Sequence, residues 1–294
     1  TIYARSHFGF DKGKNKNSSE NMSYAVADSV TYGSAFSNTD DKGYNINNSL
    51  SIGRKLNSKG RTLGFTLNNS WRKNDSNGSN YSETIYPDTT AARIIDQIND
   101  ISSKSHSITA TLSYVEPLGK DKSIMVSYSI TNSKSDRIRD TRRKDGTVNY
   151  TIIDSAYTRT TKTDYLNQNI TLAFQSKSKK FDYVLGFSVD PSSHHSKVNL
   201  GDSIIEDLKQ NVVNFSPNIH LSYSPTSSTN FDFDYSGSTS QPGISQLSTD
   251  TVIVNALTKY YGNPDLKPSY ENNINIYYQK SDYEKGSFLM IWGG

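Results

Sequence analysis

A two-residue hydrophobic beat, answered on the intervening residues by Ser, Thr and Asn, constrains this chain more than any other feature. From Tyr44 the even positions read Tyr44, Ile46, Asn48, Leu50 and Ile52, while the odd ones read Asn45, Asn47, Ser49, Ser51 and Gly53. After Asn57-Ser58-Lys59-Gly60 the beat returns as Leu63, Phe65, Leu67, Asn69 and Trp71 against Thr62, Gly64, Thr66, Asn68 and Ser70. Side chains of an extended strand project to opposite faces with period two, so these runs predict two-faced strands joined by a tight turn. The pattern recurs. Ile108, Ala110, Leu112 and Tyr114 precede Pro117-Leu118-Gly119-Lys120, and Ile124, Val126, Tyr128 and Ile130 follow it. Further hairpins pair Ile170, Leu172 and Phe174 with Phe181, Tyr183, Leu185, Phe187 and Val189, and Phe215, Ile219, Leu221 and Tyr223 with Phe231, Phe233 and Tyr235. A last one pairs Ile274, Ile276 and Tyr278 with the stretch carrying Phe288, Met290 and Trp292.

The character of the second face separates the possible sheets. A soluble sandwich hides its apolar face and decorates the other with Lys and Glu; here the polar face is small and mostly neutral. Lipid-facing apolar residues alternating with lumen-facing polar ones, in segments of roughly 10 residues, describe a transmembrane β-barrel. Hydrophobic residues make up only 33% of the chain and mean hydropathy is -0.69, lean for a packed core but acceptable where a lumen stays wet. Tyr occurs 20 times, with Tyr114, Tyr128, Tyr165, Tyr223, Tyr235, Tyr277 and Tyr278 near strand ends, where an interfacial girdle would lie. No apolar run is long enough for a transmembrane helix. The net charge is +3 with basic and acidic residues interspersed, which gives no reason to expect nucleic acid as a partner.

Short turns are predicted near residues 58, 119, 178, 227 and 283, and are placed on the periplasmic side. Between hairpins lie long polar stretches, 72–104, 134–163, 190–211 and 237–268, predicted as extracellular loops of an antiparallel, all-β outer-membrane barrel. Thr1–Phe10 and Tyr24–Phe36 are predicted to add two strands, for about ten to twelve in all. Residues 84–100, with Ala91, Ala92, Ile94, Ile95 and Ile98, predict one short helix. The chain opens mid-pattern at Thr1-Ile2-Tyr3-Ala4 without a signal peptide, and is read as a piece of a longer polypeptide.

One block is more specific than pattern. Gly262-Asn263-Pro264-Asp265-Leu266-Lys267-Pro268, followed by Ser269-Tyr270-Glu271-Asn272-Asn273 and an alternating run, resembles a signature in the barrels of TonB-dependent outer-membrane receptors. Upstream, Tyr235 and Pro242-Gly243-Ile244-Ser245-Gln246-Leu247 are similar to the segment that precedes it in Bacteroidetes-type members related to the SusC-like transporters. The match covers about residues 235–280. Pro264 and Pro268 remove ladder donors and Gly262 permits a bend, so the block's own role is read as structural. The resemblance implies a 22-stranded barrel in the Gram-negative outer membrane, surrounded by lipid and lipopolysaccharide. It further implies an N-terminal plug, a TonB complex engaged through a region N-terminal to this chain, a surface lipoprotein as an admissible partner, and no cofactor or catalytic activity. Residues 1–294 would be a partial barrel domain, with the plug and the last strands outside it.

The remaining chemistry is sparse. His194 and His195 are neighbours on an extended chain and point to opposite sides, a poor start for a metal site. Asp232 and Asp234 share a face, but nothing else supports a glycosidase pair, and a lumen-facing water contact is the simpler reading. Arg137, Arg139, Arg142, Arg143 and Lys144, interrupted by Asp136, Asp140 and Asp145, form a basic run that is either a solvated loop or a contact for phosphate, whether on lipopolysaccharide or on an anionic ligand. If specificity lies in the loops, Tyr81, Tyr86, Arg137, Arg139 and Tyr150 are the candidate ligand contacts, since Tyr stacks on sugars or planar chelates and Arg holds anions. Two functions follow: a TonB-dependent uptake receptor for a siderophore, glycan or peptide, or a structural or adhesive barrel that displays its loops to a protein partner.

Overall fold

The computed structural model describes every residue except 25–29, 86–91, 241, 243, 248–251, 254–258, 261, 264 and 283. In chain order the strands are β1 (Ile2–Tyr24), β2 (Val30–Lys55), β3 (Thr62–Ile85), β4 (Arg93–Pro117), β5 (Lys122–Lys144), β6 (Tyr150–Ile153) and β7 (Arg159–Lys177). They continue as β8 (Phe181–Leu200), β9 (Ser203–Thr226), β10 (Thr229–Ser240), β11 (Val252–Ile253), β12 (Lys259–Tyr260), β13 (Ser269–Asp282) and β14 (Ser287–Gly293). One short helix, α1, spans Ile244–Leu247. Apart from the small β11–β12 pair, all belong to one 12-stranded sheet in the order β1-β2-β3-β4-β5-β7-β8-β9-β10-β13-β14, with β6 laid against β5. Neighbouring strands are antiparallel throughout, and among the described residues β1 and β14 are its two edges.

The turns form where Gly, Pro or short polar segments rich in Ser and Lys break the beat. At the β2–β3 turn Leu56 N donates to Arg61 O at 2.8 Å, and Gly60 has φ +98°, a left-handed conformation that glycine alone adopts without penalty. Arg61 then grips Glu116 of β4 through Nε and Nη2, both at 2.7 Å, which ties this turn to the next hairpin. The turns predicted near 119, 178 and 227 fall at 118–121, 178–180 and 227–228, and a further turn at 201–202 joins β8 to β9 inside a stretch predicted as a loop.

Register carries the beat from strand to strand without a slip between β2 and β5. Ile52, Phe65 and Leu112 stand in one row, Leu50, Leu67 and Ala110 in the next, and Leu112 and Ala110 face Tyr128 and Ile130. The result is a continuous apolar face that no other layer covers among the described residues: Leu112 is 49% and Leu172 55% exposed. Aromatic clusters flank it. Tyr44 and Trp71 meet with ring centroids 4.8 Å apart at its far edge, and Phe174, Tyr183, Phe181 and Tyr223 gather at the turn edge with centroids 5.3–6.0 Å apart. From Leu63 to Trp71 the belt runs ~26 Å along β3, the height of a lipid-facing band.

The opposite face is a ladder of hydroxyls. Thr111 and Ser129 pair at 2.9 Å, Thr109 and Thr131 at 2.9 Å, Ser107 and Ser133 at 2.7 Å, and Thr171 and Ser188 at 2.8 Å. Each cross-strand pair contributes ~0.2–1 kcal/mol, so the polar face binds the sheet laterally while remaining wettable. Together the two faces explain the lean composition, because neither needs a conventional core.

The stretches predicted as long loops are corrected by the structure. Residues 72–85 continue β3, 93–104 begin β4, 134–144 continue β5, and 191–200 and 203–211 are the far ends of β8 and β9. The helix predicted over 84–100 is absent where described: Thr84 and Ile85 end β3, and Arg93 onward is β4. Likewise Thr1–Phe10 and Tyr24–Phe36 are not separate strands, since β1 runs through Tyr24 and β2 joins Val30–Phe36 to the Tyr44–Ile52 run. The physical reason is that backbone pairing does not require hydropathy. With both faces in water, polar residues such as Asn, Ser, Thr and Asp occupy the extension on both sides and the period-two signal vanishes, while the ladder initiated at the turn propagates. A strand such as β3, 24 residues long, reaches ~80 Å, far more than the 9–11 residues that cross a bilayer.

Candidate functional site

The distal halves of the strands, beyond Trp71 and its neighbours, hold the candidate residues, and strand parity divides them between two faces. The odd residues of β5 that carry Ser127, Ser129, Thr131 and Ser133 on the hydroxyl face continue as Arg137, Arg139, Thr141 and Arg143. The even residues that carry Tyr128 and Ile130 on the apolar face continue as Asp136, Ile138, Asp140, Arg142 and Lys144. Alternation therefore pulls the acids away from Arg137 and Arg139. Asp140 is taken by Arg142 at 2.7 Å, and no described carboxylate forms an ion pair with Arg137 or Arg139.

On the hydroxyl face, Arg139 lines a cavity of about 270 Å³ whose walls are Ser37 and Thr39 of β2, Ser76, Gly78 and Asn80 of β3, and Asn99 of β4. Gly78 packs close against β2: a Cβ there would meet Asn38 O at 2.9 Å and Thr39 Oγ1 at 3.3 Å. Asn99 Oδ1 accepts from Thr141 Oγ1 at 2.7 Å and from Arg139 Nη2 at 3.3 Å. The guanidinium lies 5.8 Å from the Tyr157 ring, and its Nε is buried with no partner. Desolvation, together with the positive charges of Arg137 and Arg159, pulls the Arg139 pKa below its ordinary value.

Tyr81 and Tyr150 lie on the other face and do not join the arginines. Tyr150 OH donates to Asp96 at 2.6 Å, and Lys144 Nζ reaches the same carboxylate at 2.6 Å. Tyr81, beside Asp96 in the β3–β4 register, donates to Glu83 at 3.2 Å. Desolvation pushes the Asp96 carboxyl up, but Lys144 and the Tyr150 phenol outweigh it and hold the pKa below the ordinary range. The same contact raises Lys144 and Tyr150. This cluster fastens the tip between β5 and β7, aided from the hydroxyl face by Gln97, which donates to Asp154 at 2.7 Å, and by Asp154 N, which donates to Thr141 O at 2.8 Å. Thr141 is fully buried and Gln97 2% exposed. Sequence reasoning missed Asp96, Gln97, Asn99 and Thr141; extending the parity of the hydroxyl face past Ser133 and Ser105 is the signal that finds the last three.

The residues of the 262–268 block are distributed as a connector. Asn263 N donates to Gln246 O at 2.6 Å, Asp265 N to Asn263 Oδ1 at 3.0 Å and Leu266 N to Asn263 O at 3.2 Å. Leu247 is 3% exposed, and Pro242 and Gly262 are half-buried. Lys267 and Pro268 are exposed and lead directly into β13. Tyr86 and Pro264 lie outside the described residues. Of the other candidates, His194 meets Tyr165 edge-on at 5.4 Å, whereas His195, one residue on, binds Asp207 at 2.6 Å, so the two imidazoles diverge. Asp234 contacts His220 at 2.6 Å and Asp232 contacts Asn230. A second hydroxyl-face cavity of about 430 Å³ lies nearer the turns, lined by residues including Arg5, His7, Asn47, Asn68 and Thr109.

A family model described as "Outer membrane protein beta-barrel family" matches residues 54–290. No curated protein sequence is similar to the chain at a significant level. Among solved structures, the ferric citrate transporter FecA in its unliganded form shares 11% identity over 96% of this chain and 49% of its own, with a TM-score of 0.46. The ferric yersiniabactin uptake receptor FyuA from Yersinia pestis shares 10% over 96% and 48%, with a TM-score of 0.45. The ferric-catecholate import receptor Fiu from K12 E. coli shares 10% over 95% and 55%, with a TM-score of 0.41. The chain spans about half the length of each.

Proposed function

Because the chain belongs to the outer membrane protein beta-barrel family, and is thus a protein of the Gram-negative outer membrane, we propose that it is the barrel wall of a TonB-dependent uptake receptor. In this reading the short turns face the periplasm, the distal halves project outside the cell, and the hydroxyl face lines the lumen. Solute is captured among the distal strands and the tips they carry, then passed along a polar wall. The observation that supports capture most directly is the half-buried Arg139 in a polar cavity at the distal end of that wall, with Arg137 two residues away on the same face. Tyr81 and Tyr150 are proposed as contacts for whatever meets the outer side of the same tip. The Gly262–Pro268 block supports a Bacteroidetes-type receptor of 22 strands, with a plug and a TonB-contacting segment supplied by polypeptide outside these residues. A surface lipoprotein is a further partner in that scheme, and lipid and lipopolysaccharide surround the apolar face. No catalytic step is assigned to the chain.

The test is energetic coupling. Native protein extracted from the outer membrane should bind the periplasmic domain of TonB, and cells should lose the nutrient uptake that depends on this protein when TonB is removed. Protein that neither binds TonB nor changes uptake on deletion, but still supports attachment to another surface, would make it an adhesive or structural barrel instead.

A further inference from the structure

We infer that the cavity at Arg139 is an oxyanion site, built to hold a carboxylate or phosphate group of the solute that enters the lumen; this rests on the hydroxyl face being the lumen wall. Three features converge there. First, Arg139 and Arg159 stand directly opposite each other in the β5–β7 register, and Arg137 shares their face. Like charges placed opposite each other on a sheet destabilise it unless something neutralises them. Arg159 has partners of its own, among them the carbonyls of Ser155 and Thr158, which accept from its Nη1 at 2.6 and 2.8 Å. Arg139, by contrast, has a long bond to a neutral amide oxygen and the face of the Tyr157 ring, and no described carboxylate. Second, the neighbouring carboxylates of β5 and of the tip are directed elsewhere. Asp136 and Asp140 point to the other face by parity, and Asp154 is held by Gln97 and by the backbone N of Ala156. Third, the space beside the cation is real and polar: about 270 Å³, walled by hydroxyls and amides that can donate to an anion.

A half-buried cation without a counter-ion among the described residues, facing hydroxyls and amides that can also donate to an anion, is an incomplete ion pair. The planar fork of arginine favours two-oxygen groups, which selects carboxylate and phosphate over halide. Parity also decides where the anion comes from. Arg137 and Arg139 face away from the apolar belt, so a solute in the lumen reaches them, whereas the phosphates of lipopolysaccharide lie against the opposite face.

The experiment uses the full-length protein purified in detergent micelles, with citrate and inorganic phosphate as probes in calorimetric titration at low salt. Wild-type protein should bind at least one of them, and binding should weaken as salt rises. Arg139→Gln should lose about ten-fold or more in affinity, as expected for removal of a charged hydrogen-bond donor. Arg139→Lys should recover part of that loss, and Arg142→Gln, on the other face and already paired with Asp140, should bind like wild type. Heat-modifiable gel mobility confirms that each variant is folded, and Arg137→Gln supplies a second test if Arg139→Gln is not. Equal binding by wild type and Arg139→Gln, an equal loss in Arg142→Gln, absence of binding by wild type to either probe, or competition by purified lipopolysaccharide that Arg139→Gln leaves unchanged would each overturn the proposal. None of these readings involves TonB, so anion binding that persists in a protein without TonB-coupled uptake would refute the receptor and leave the site standing.

Discussion

The two halves of each long strand follow one backbone ladder but two chemistries. Near the turns, β2 to β5 present Ile52, Leu50, Leu67, Ala110, Tyr128 and Ile130 on one face and Ser51, Thr66, Thr111 and Ser129 on the other. Beyond Tyr44 and Trp71 the same strands present Asp75, Asp96, Asp136 and Lys144 where the apolar residues stood. Even the surviving apolar residues are isolated: Ile138, 52% exposed, has Ser102 and Thr160 as its cross-strand neighbours and Asp136 and Asp140 two residues away on its own face. The difference shows that hydropathy locates the bilayer while hydrogen bonding alone sets the length of the strand. Lipid forces every backbone group to be paired inside the band; outside it, pairing continues because nothing interrupts it until Lys144, Leu200 or Ser240.

The largest effect that could break this contrast is a charge placed on the apolar face. Arg at Leu50, Leu67 or Leu112 should cost roughly 2–4 kcal/mol near the bilayer midplane, measured as a shift in denaturant unfolding of the barrel in lipid vesicles. Arg at Ser49, Asn68 or Thr111, on the hydroxyl face, should cost less, and Arg at Ile138 should be close to neutral. If Leu67→Arg and Asn68→Arg were equally damaging, the apolar face would not be a lipid boundary.

A smaller effect sharpens the distal half. The clamp of Asp96, Lys144 and Tyr150 requires an ionised carboxylate. Because the Asp96 pKa lies below its ordinary 3.8 in the folded tip, the clamp's contribution is complete above about pH 4 and is lost as pH falls through the lowered value. Protection against hydrogen exchange across 145–158, taken relative to the intrinsic rate at each pH, should therefore be high at neutral pH and fall in acid below that point, with β2–β4 near their turns unchanged. Asp96→Asn should give the fast exchange already at neutral pH; if it leaves exchange slow, the tip is held by something else.

The smallest effect on folding is expected from removing the tip. The shortening consistent with the strands is 145–158, since 134–144 and 159–163 belong to β5 and β7. Loop length alters closure entropy only slowly, so the barrel should unfold at nearly the same denaturant concentration while ligand or partner capture weakens. Loss of assembly instead would mean that the tip is part of the folding unit.

Legibility in the sequence follows the same division. The turns at Gly60, Gly119 and Ser178 and the two faces of the membrane half were readable, because Gly, Pro and Ser-rich breaks mark turns and a lipid boundary imposes a strong period of two. The distal extensions were not. Residues 93–100, Arg-Ile-Ile-Asp-Gln-Ile-Asn-Asp, space their isoleucines as a helix would, yet they pair with β3 and β5 because those neighbours are already in place. Tertiary pairing overrides a local pattern of that kind. Arg137 and Arg139 were recognisable as anion-binding types, but their separation from Asp136 and Asp140 became visible only once 134–144 was known to be a strand rather than a loop. Asn99 and Thr141 belong to the same site through cross-strand register, a relation that local sequence does not contain.

The most direct test of the two-half account exploits the absence of cysteine from the chain. Single cysteines at Leu67 and Leu112, and at Ile94 and Ile138, carry a nitroxide label in the barrel reconstituted in lipid vesicles, so that all four sites lie on the same face and all replace apolar residues. Collision with oxygen, which concentrates in lipid, against collision with a water-soluble nickel chelate then reads the environment of each. Lipid-like accessibility at 67 and 112 with water-like accessibility at 94 and 138 is the expected result. Lipid-like accessibility at 138, or water-like accessibility at 67, would contradict the assignment of the bilayer to the turn-proximal half.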